Sequence, residues 1–177
     1  MLKIARSHLL RLAVCWLAWH SPGAAAQGFD VQRWSPSAPV PALQATDLSG
    51  KVWRLADLRG KAVLINFWAS WCEPCRAEMP SLQALAERQG PHRLVVLAVN
   101  FKESPATVAQ FVQRTGLRLP VLPDPQGAIA RQWGVRIFPS TVLIAADGHV
   151  RAVVRGEVDW GSADAAALWE PLLKTGQ

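Results

Sequence analysis

The stretch VLINFWASWCEPC, residues 63–75, joins a run of apolar residues directly to two cysteines three positions apart. The near-continuous apolar character of this run predicts a strand buried on both faces. Downstream, apolar residues recur at helical spacing until Gly90, a residue that suits the end of a helix. The stretch therefore predicts a central strand that delivers Cys72 to the start of a helix.

Strand and helix patterns alternate along most of the remaining chain. Upstream, a turn at residues 48–51 separates two partly apolar runs, which predicts a hairpin within residues 42–58. The downstream patterns predict a strand at 94–99, a helix at 104–116, a strand at 119–123, a helix at 126–133, a hairpin turned at Asp147 and Gly148, and a closing helix at 162–174 whose last turn Pro171 disfavours. Alternation of this kind predicts an α/β domain over residues 42–177, with parallel strands joined by right-handed crossovers.

The N-terminus carries the pattern of an export signal. Three basic residues lead into a short apolar stretch, and three consecutive alanines end at Ala26. This order predicts a secretory signal peptide over residues 1–26, with an uncleaved membrane anchor as the alternative. Residues 27–41 hold three prolines among serines and alanines, which predicts a flexible lead-in to the domain. We therefore expect a periplasmic protein.

The charge balance gives little support to a nucleic-acid partner. The chain has 19 Lys plus Arg and 13 Asp plus Glu, and cleavage after Ala26 would remove three basic residues and no acidic ones. The net charge would fall from +6 to 19 − 3 − 13 = +3, with the remaining basic residues scattered along the chain. Cleavage would also remove Cys15, leaving Cys72 and Cys75. We expect a monomer that binds no nucleic acid.

The position of the two cysteines predicts thiol chemistry. A sulfur at a helix start lies beside unpaired backbone N–H groups and the positive end of the helix dipole, so the Cys72 thiol should ionise easily. The thiolate is the nucleophile in disulfide exchange, and a thiol one helical turn later can attack the mixed disulfide. We therefore expect Cys72 to attack and Cys75 to resolve. Pro74 suits the first turn and should stiffen the loop.

Three other roles for the cysteine pair stay open from the residues alone. A structural disulfide would close a very small loop and so would constrain the unfolded chain little. Zinc as a rule needs four ligands, and His92 and His149 fall in separate predicted turns, so we expect no zinc site. Copper would suit two soft thiolates better, which leaves a copper-binding chaperone as the alternative function.

Two segments resemble a known family. FWASWCEPCRAEMP, residues 67–80, and VRIFPST, residues 135–141, resemble the TlpA/ResA family of exported thioredoxin-like thiol:disulfide oxidoreductases. The resemblance runs from about Pro39 to the end of the chain. It implies a thioredoxin-like three-layer fold, in which helices flank a central mixed β-sheet, with an added N-terminal β-hairpin and an inserted helix and strand. It also implies that the Cys72–Cys75 disulfide works without a further cofactor.

The resemblance implies a substrate-binding surface beside the sulfurs. The family's cis-proline falls on Pro139, and the loop that carries it would present backbone groups to an extended substrate. An ordinary proline at a strand start is the alternative. Trp71 would form an apolar wall, and Phe138 would shape which substrate backbone fits.

The resemblance also gives different meanings to two polar positions. Thioredoxins carry a buried aspartate where this chain has Asn66, so that proton acceptor is absent. Related exported reductases carry a glutamate where this chain has Glu78, three residues after Cys75. A carboxyl group there could take the proton from Cys75 or hold it, whereas the alternative is a solvated residue on the helix face.

The acidic residues near the motif favour a reducing couple. Negative charge from Glu73 and Glu78 opposes the thiolate, which partly offsets the helix terminus. The resemblance also points to reductants that receive electrons from a membrane thiol donor. The expected clients are disulfide-bearing proteins, such as apocytochrome c or copper-site proteins. A thiol peroxidase is disfavoured because no separate peroxidatic cysteine remains, and a redox-inert interaction domain is the last alternative.

Overall fold

The computed structural model describes residues 28–174. The predicted signal peptide at 1–26 therefore lies outside the described residues. Among those that are described, no helix is long and apolar enough to cross a membrane.

The core of the molecule is a mixed sheet built around the predicted central strand. This strand, β4, spans Ala62–Trp68 and is buried along its whole length. It pairs in parallel with β5, Leu94–Phe101, and antiparallel with β7, Ser140–Ile144. Beyond β5 lies β6, Val121–Asp124, and beyond β7 lies β8, Val150–Gly156. The prediction of an α/β fold with a mixed central sheet is confirmed.

The helices begin and end close to the predicted residues. They are α1, Glu73–Gln89; α2, Pro105–Thr115; α3, Ala128–Gln132; and α4, Ala163–Trp169. Ser104 caps α2 by accepting a hydrogen bond from the Thr107 N–H, and Gly116 ends that helix in the left-handed conformation. After α4 the chain continues as a 3₁₀ helix, Glu170–Leu173, because Pro171 cannot supply the N–H that an α-helix would need there.

Apolar side chains fill two layers, one on each face of the sheet. Alternate residues of β4 point to opposite faces, as the pleat of a strand requires. Leu64 and Trp68 belong to the cluster that includes residues of α1, α2 and α4. Ile65 and Phe67 belong to the other cluster, which includes residues of α3. The period of two also places Asn66 on the same face as Leu64, toward α1.

The predicted N-terminal hairpin is a separate two-stranded sheet. Its strands are β2, Gln44–Thr46, and β3, Val52–Arg54, and they pair antiparallel. Asp47 fixes the turn between them, because its Oδ1 accepts hydrogen bonds from the backbone N–H groups of Ser49 and Lys51. A 3₁₀ helix, Leu55–Leu58, then leads to β4.

The prediction of a flexible lead-in over residues 27–41 is wrong for Phe29–Arg33. These residues form β1, which pairs antiparallel with β8 at the edge of the main sheet. The strand buries no residue fully, and its side chains show no alternation between buried and exposed positions. Phe29 packs partly against the core, and the rest of the strand is held by backbone pairing with β8. Two apolar residues, Phe29 and Val31, are too short a pattern to predict a strand.

Candidate active site

The two cysteines occupy the start of α1. Cys72 is the residue that caps the helix, and its Sγ accepts a hydrogen bond from the Cys75 N–H at 3.3 Å. The two sulfurs form a disulfide with an S–S distance of 2.03 Å. Cys75 is fully buried, whereas Cys72 keeps 6% of its surface exposed. A client sulfur can therefore approach Cys72 more easily than Cys75.

The residues between the cysteines face solvent. Glu73 and Pro74 are exposed and form the first positions of α1, where a proline loses no helical hydrogen bond. The free N–H groups of this first turn and the helix dipole favour negative charge on the Cys72 sulfur once the disulfide opens. The exposed Glu73 carboxylate acts against that effect, but solvent screens its charge.

An apolar surface lies beside the disulfide. Trp71 is 65% exposed, although it is a large hydrophobic residue, and Ile137 is 55% exposed. The Trp71 ring meets the Phe138 ring edge-on, with centroids 6.3 Å apart. On its other side Phe138 packs against Phe101, with centroids 4.6 Å apart. Rings from three separate segments therefore form one apolar surface next to Cys72, of the kind that marks a binding site for another chain.

Pro139 lies at the end of the loop that carries this surface. The Phe138–Pro139 peptide bond is cis, and β7 begins at the next residue. The Pro139 carbonyl accepts a hydrogen bond from the Gly156 N–H at 2.9 Å, so the loop is tied to β8. Trp71, Phe138 and Pro139, predicted as substrate-binding residues, thus lie on adjacent loops.

Glu78 is buried behind the cysteines and does not lie on a solvated helix face. Only 2% of its surface is exposed. Its Oε1 accepts a hydrogen bond from Asn66 Nδ2 at 2.6 Å. Its Oε2 accepts hydrogen bonds from the Val158 N–H at 3.2 Å and from Trp160 Nε1 at 3.4 Å. Donors from β4 and from the segment after β8 therefore converge on this one carboxyl group of α1.

Burial changes the acidity of Glu78. Desolvation is the largest influence and raises the pKa of the carboxyl to about 7, although the three hydrogen bonds lower it. The negative charge of Glu157 adds a smaller upward effect on the same pKa. A carboxyl group with a pKa near neutrality can both accept and release a proton under ordinary conditions. Since Glu78 follows Cys75 by three residues, the two share a face of α1.

A second glutamate fixes the loop that precedes Cys72. Glu103, between β5 and α2, accepts hydrogen bonds from the Ser70 N–H at 2.7 Å and from Ser70 Oγ at 2.5 Å. Asn100 Nδ2 donates to the same carboxylate at 2.7 Å. These bonds hold the backbone two residues before the nucleophile. Sequence reasoning missed this cluster because its members lie on different elements and form no local motif.

Sequence reasoning also missed Val158 and Trp160 as partners of Glu78. They follow β8 and lie 80 and 82 residues away from the glutamate. One signal was available, since Asn66 is a polar residue inside an otherwise apolar strand. A buried amide in such a run requires a polar partner, and its face of the strand points to α1.

No cluster of three or more potential metal-ligating side chains occurs within residues 28–174. The cysteine pair supplies two thiol sulfurs among the described residues, and these are joined in the disulfide.

The sequence of this chain matches a known family and several known relatives. Residues 36–153 match the model of the AhpC/TSA family. The chain is 38% identical over 117 residues to the thiol-disulfide oxidoreductase ResA of Geobacillus thermodenitrificans, covering 66% of this chain and 67% of that protein.

Solved structures show the same fold. The exposed lipoprotein thioredoxin of Streptococcus pneumoniae matches with a TM-score of 0.64 and 31% identity, over 74% of this chain and 97% of that one. A secreted thiol-disulfide isomerase from Corynebacterium glutamicum matches with a TM-score of 0.68 and 25% identity, over 88% and 96% of the two chains. The chain therefore belongs to the AhpC/TSA family and is a ResA-like thiol-disulfide oxidoreductase with a thioredoxin-like fold.

Proposed function

We propose that this oxidoreductase works outside the cytoplasm, in the periplasm, and reduces disulfides in client proteins. The observation that carries the proposal is the arrangement around the disulfide. Cys72 lies at a helix start beside an exposed apolar surface, and a buried carboxyl group lies behind Cys75. The first feature suits attack on a client, and the second suits proton transfer from the resolving thiol.

The reaction begins with the reduced pair. The Cys72 thiolate attacks one sulfur of the client disulfide, the client S–S bond breaks, and the other client sulfur leaves as a thiolate. Cys72 and the client are then joined by a mixed disulfide. The N–H groups at the start of α1 stabilise the attacking thiolate, while Trp71 and Phe138 exclude water from the approaching client.

The second step closes the protein's own disulfide. The Cys75 thiol gives its proton to the Glu78 carboxylate, and the resulting thiolate attacks the Cys72 Sγ. The bond between Cys72 and the client breaks, and the second client sulfur leaves as a thiolate. Two electrons have passed from the dithiol to the client, and the client thiolates take protons from Glu78 and water.

The reducing direction rests on the resemblance to exported reductants, and the acidic groups near the two sulfurs favour it while the start of α1 partly opposes it. A couple is reducing when its thiolate is poorly stabilised, because the dithiol then gives up its electrons more readily. Glu73 stands between the cysteines, and a buried carboxyl group stands behind Cys75, so negative charge opposes the thiolates. Neither group contributes positive charge that would make the couple a strong oxidant.

Export is supported by the sequence and by relatives. Residues 1–26 carry the order of a secretory signal, and the similar structures include a secreted protein and an exposed lipoprotein. In an oxidising compartment a dithiol needs a supply of electrons, so we include a membrane thiol donor as a partner. An uncleaved signal that anchors the chain would leave this chemistry unchanged.

Equilibration with glutathione and dithiothreitol buffers tests the direction. We expect a reduction potential well below that of a strong oxidant of the periplasm, which lies at roughly −120 mV. The protein should also accelerate reduction of insulin disulfides by a chemical thiol. A potential near −120 mV would overturn the reducing direction.

The client can be captured through Cys72. The variant Cys75→Ser should accumulate a mixed disulfide, because a serine cannot displace the bound partner, and mass spectrometry then identifies it. A protein with a C-x-x-C-H haem site would support a role in cytochrome c maturation. A copper-site protein would support maturation of that centre instead, and stoichiometric Cu(I) binding that is lost in Cys72→Ser would favour the copper chaperone.

A further inference from the structure

Asn66 is a buried amide with an unusual set of partners. It has no exposed surface, and its Nδ2 donates both to Glu78 Oε1, at 2.6 Å, and to Thr141 Oγ1, at 3.0 Å. Its Oδ1 is buried without a partner among the described residues. In this orientation the amide donates through Nδ2 and its oxygen has no partner. Such an orientation suits a charged carboxylate, because a carboxylate can only accept hydrogen bonds.

The other oxygen of Glu78 decides where a proton would go. Oε2 faces two donors, the Val158 N–H and Trp160 Nε1, and neither can become an acceptor. A proton on Oε2 would therefore oppose both. The neutral carboxyl must carry its proton on Oε1, which faces Asn66.

A proton on Oε1 conflicts with the orientation of the Asn66 amide in the structure, in which Nδ2 donates to Oε1. A carboxyl O–H on Oε1 would point at the Nδ2–H of Asn66, and two donors cannot bond. A rotation of the amide by half a turn removes the conflict at Oε1, because Oδ1 then takes the place of Nδ2. Nδ2 in turn moves to the site of Oδ1, which has no hydrogen-bond partner among the described residues in the first orientation. The Thr141 hydroxyl can accept in one orientation and donate in the other, so it suits both.

We propose that Asn66 is a positioning residue whose amide reverses as Glu78 gains or loses its proton, so that the buried carboxyl keeps a hydrogen-bond partner in both states. The inference rests on the proposed role of Glu78 as the acceptor of the Cys75 proton. The proton moves from the Cys75 sulfur to Glu78 Oε1, and no electrons are transferred in this step. The Asn66 amide turns so that Oδ1, an acceptor, replaces Nδ2, a donor, opposite Oε1. An aspartate at this position would instead add a second acid.

The charged and titratable groups around Glu78 are few. On its own helix it follows the Cys72–Cys75 pair, and after β8 comes Glu157, whose negative charge raises the pKa of the carboxyl. From β4 it faces the neutral side chain of Asn66, which also bonds the neutral side chain of Thr141 on β7. The disulfide form removes thiol titration from the experiment, because neither sulfur then carries a proton.

The test is an NMR titration of the disulfide form, with the side-chain carboxyl of Glu78 and the side-chain amide of Asn66 observed together. We expect the two signals to change with one midpoint, near pH 7. In Asn66→Ala the carboxyl loses its amide partner in both states, and because the bond to the charged carboxylate is the stronger of the two, the Glu78 midpoint should move upward by about half to one pH unit. In Thr141→Val the Asn66 amide signals should change even at pH values where Glu78 is charged.

A matched control lies on the next strand. Asn100 is also fully buried, donates through Nδ2 to a glutamate, and leaves Oδ1 unpaired, but its glutamate is Glu103. Asn100→Ala should therefore leave the Glu78 midpoint where it is in the unaltered protein. An equal shift in both alanine variants would show a general loss of packing and would overturn the proposal.

The outcome separates this inference from the proposed function. If the Asn66 amide signals stay constant through the Glu78 titration, or if Asn66→Ala leaves the midpoint unchanged, the inference is wrong whatever Glu78 does in exchange. If Glu78→Gln exchanges disulfides with an unchanged pH dependence, the role of Glu78 in the reaction is wrong, although the titration of its carboxyl would still show whether Asn66 responds to it.

Discussion

The two sides of the first turn of α1 differ in how far they are exposed to solvent. On the front, Trp71 is 65% exposed, and Glu73 and Pro74 face solvent beside Cys72. On the back, Cys75 is fully buried and Glu78 is 2% exposed. The contrast indicates a division of work within one short motif, in which the front meets the client and the back handles the proton of the resolving thiol.

The largest expected effect comes from the sulfurs themselves. Both Cys72→Ser and Cys75→Ser should abolish turnover, because each removes one partner of the disulfide. The front and back positions should nevertheless fail differently. Cys75→Ser should still attack a client and stop at the mixed disulfide, whereas Cys72→Ser should trap little, since Cys75 is fully buried. Non-reducing gels with a disulfide client measure this, and equal trapping by both variants would break the comparison.

The next largest effect is on the free energy of unfolding, and it comes from Glu78 on the back of the turn. Burial raises the pKa of Glu78 from 4.5 to about 7, so between these values the folded protein holds a proton that the unfolded chain has released. The free energy of unfolding of the disulfide form should therefore fall as pH rises from 4.5 to 7, by about 3 kcal/mol from this group.

Urea unfolding at several pH values measures this dependence. Glu78→Gln should remove most of the decline, because an amide does not titrate in this range, and Glu73→Gln on the exposed front should keep it. A decline of the same size in Glu78→Gln would show that another group causes it.

A smaller effect should mark the front. Trp71→Ala should lower kcat/KM for a protein client by about 5- to 30-fold, equivalent to about 1–2 kcal/mol of lost contact. The rate with a small disulfide should change less, since such a substrate does not reach the ring. Val52→Ala alters another exposed hydrophobic residue and serves as the control. Equal losses for the small and the protein substrate would place Trp71 in the chemistry and not in client binding.

The smallest effect should come from the exposed charge between the cysteines. Glu73→Gln removes a negative charge near Cys72, which should make the couple more oxidising, but solvent screens the change. We expect a shift of the reduction potential below about 30 mV, the equivalent of one pKa unit for a two-electron couple. A larger shift, measured against glutathione, would mean that the front controls the potential.

The front of the site could be predicted from the sequence because its parts lie in local motifs. The order of strand, cysteine pair and helix placed Cys72 at the helix start, and the family resemblance placed the cis bond at Pro139. The central strand β4 was predicted for the same reason, since a strand buried on both faces leaves a continuous apolar run.

The back could be predicted only in part. Glu78 was singled out by resemblance, but its partners come from β4 and from the segment after β8. Long-range contacts of this kind leave no spacing in the sequence. The strand β1 was missed for a related reason, since its order depends mainly on pairing with β8 and only Phe29 packs against the core.

The most direct test of the account follows the two steps of exchange separately. A reduced sample is mixed with an aromatic disulfide whose thiolate product is coloured, so that the first equivalent released reports attack by Cys72 and the second reports resolution by Cys75. In the unaltered protein the second phase should depend on a group with a pKa near 7, the value that burial gives Glu78. In Glu78→Gln that dependence should disappear and the second phase should slow by about 100-fold or more, while the first phase keeps its rate. A second phase with the same rate and pH dependence in both proteins would contradict the claim that Glu78 takes the proton of Cys75.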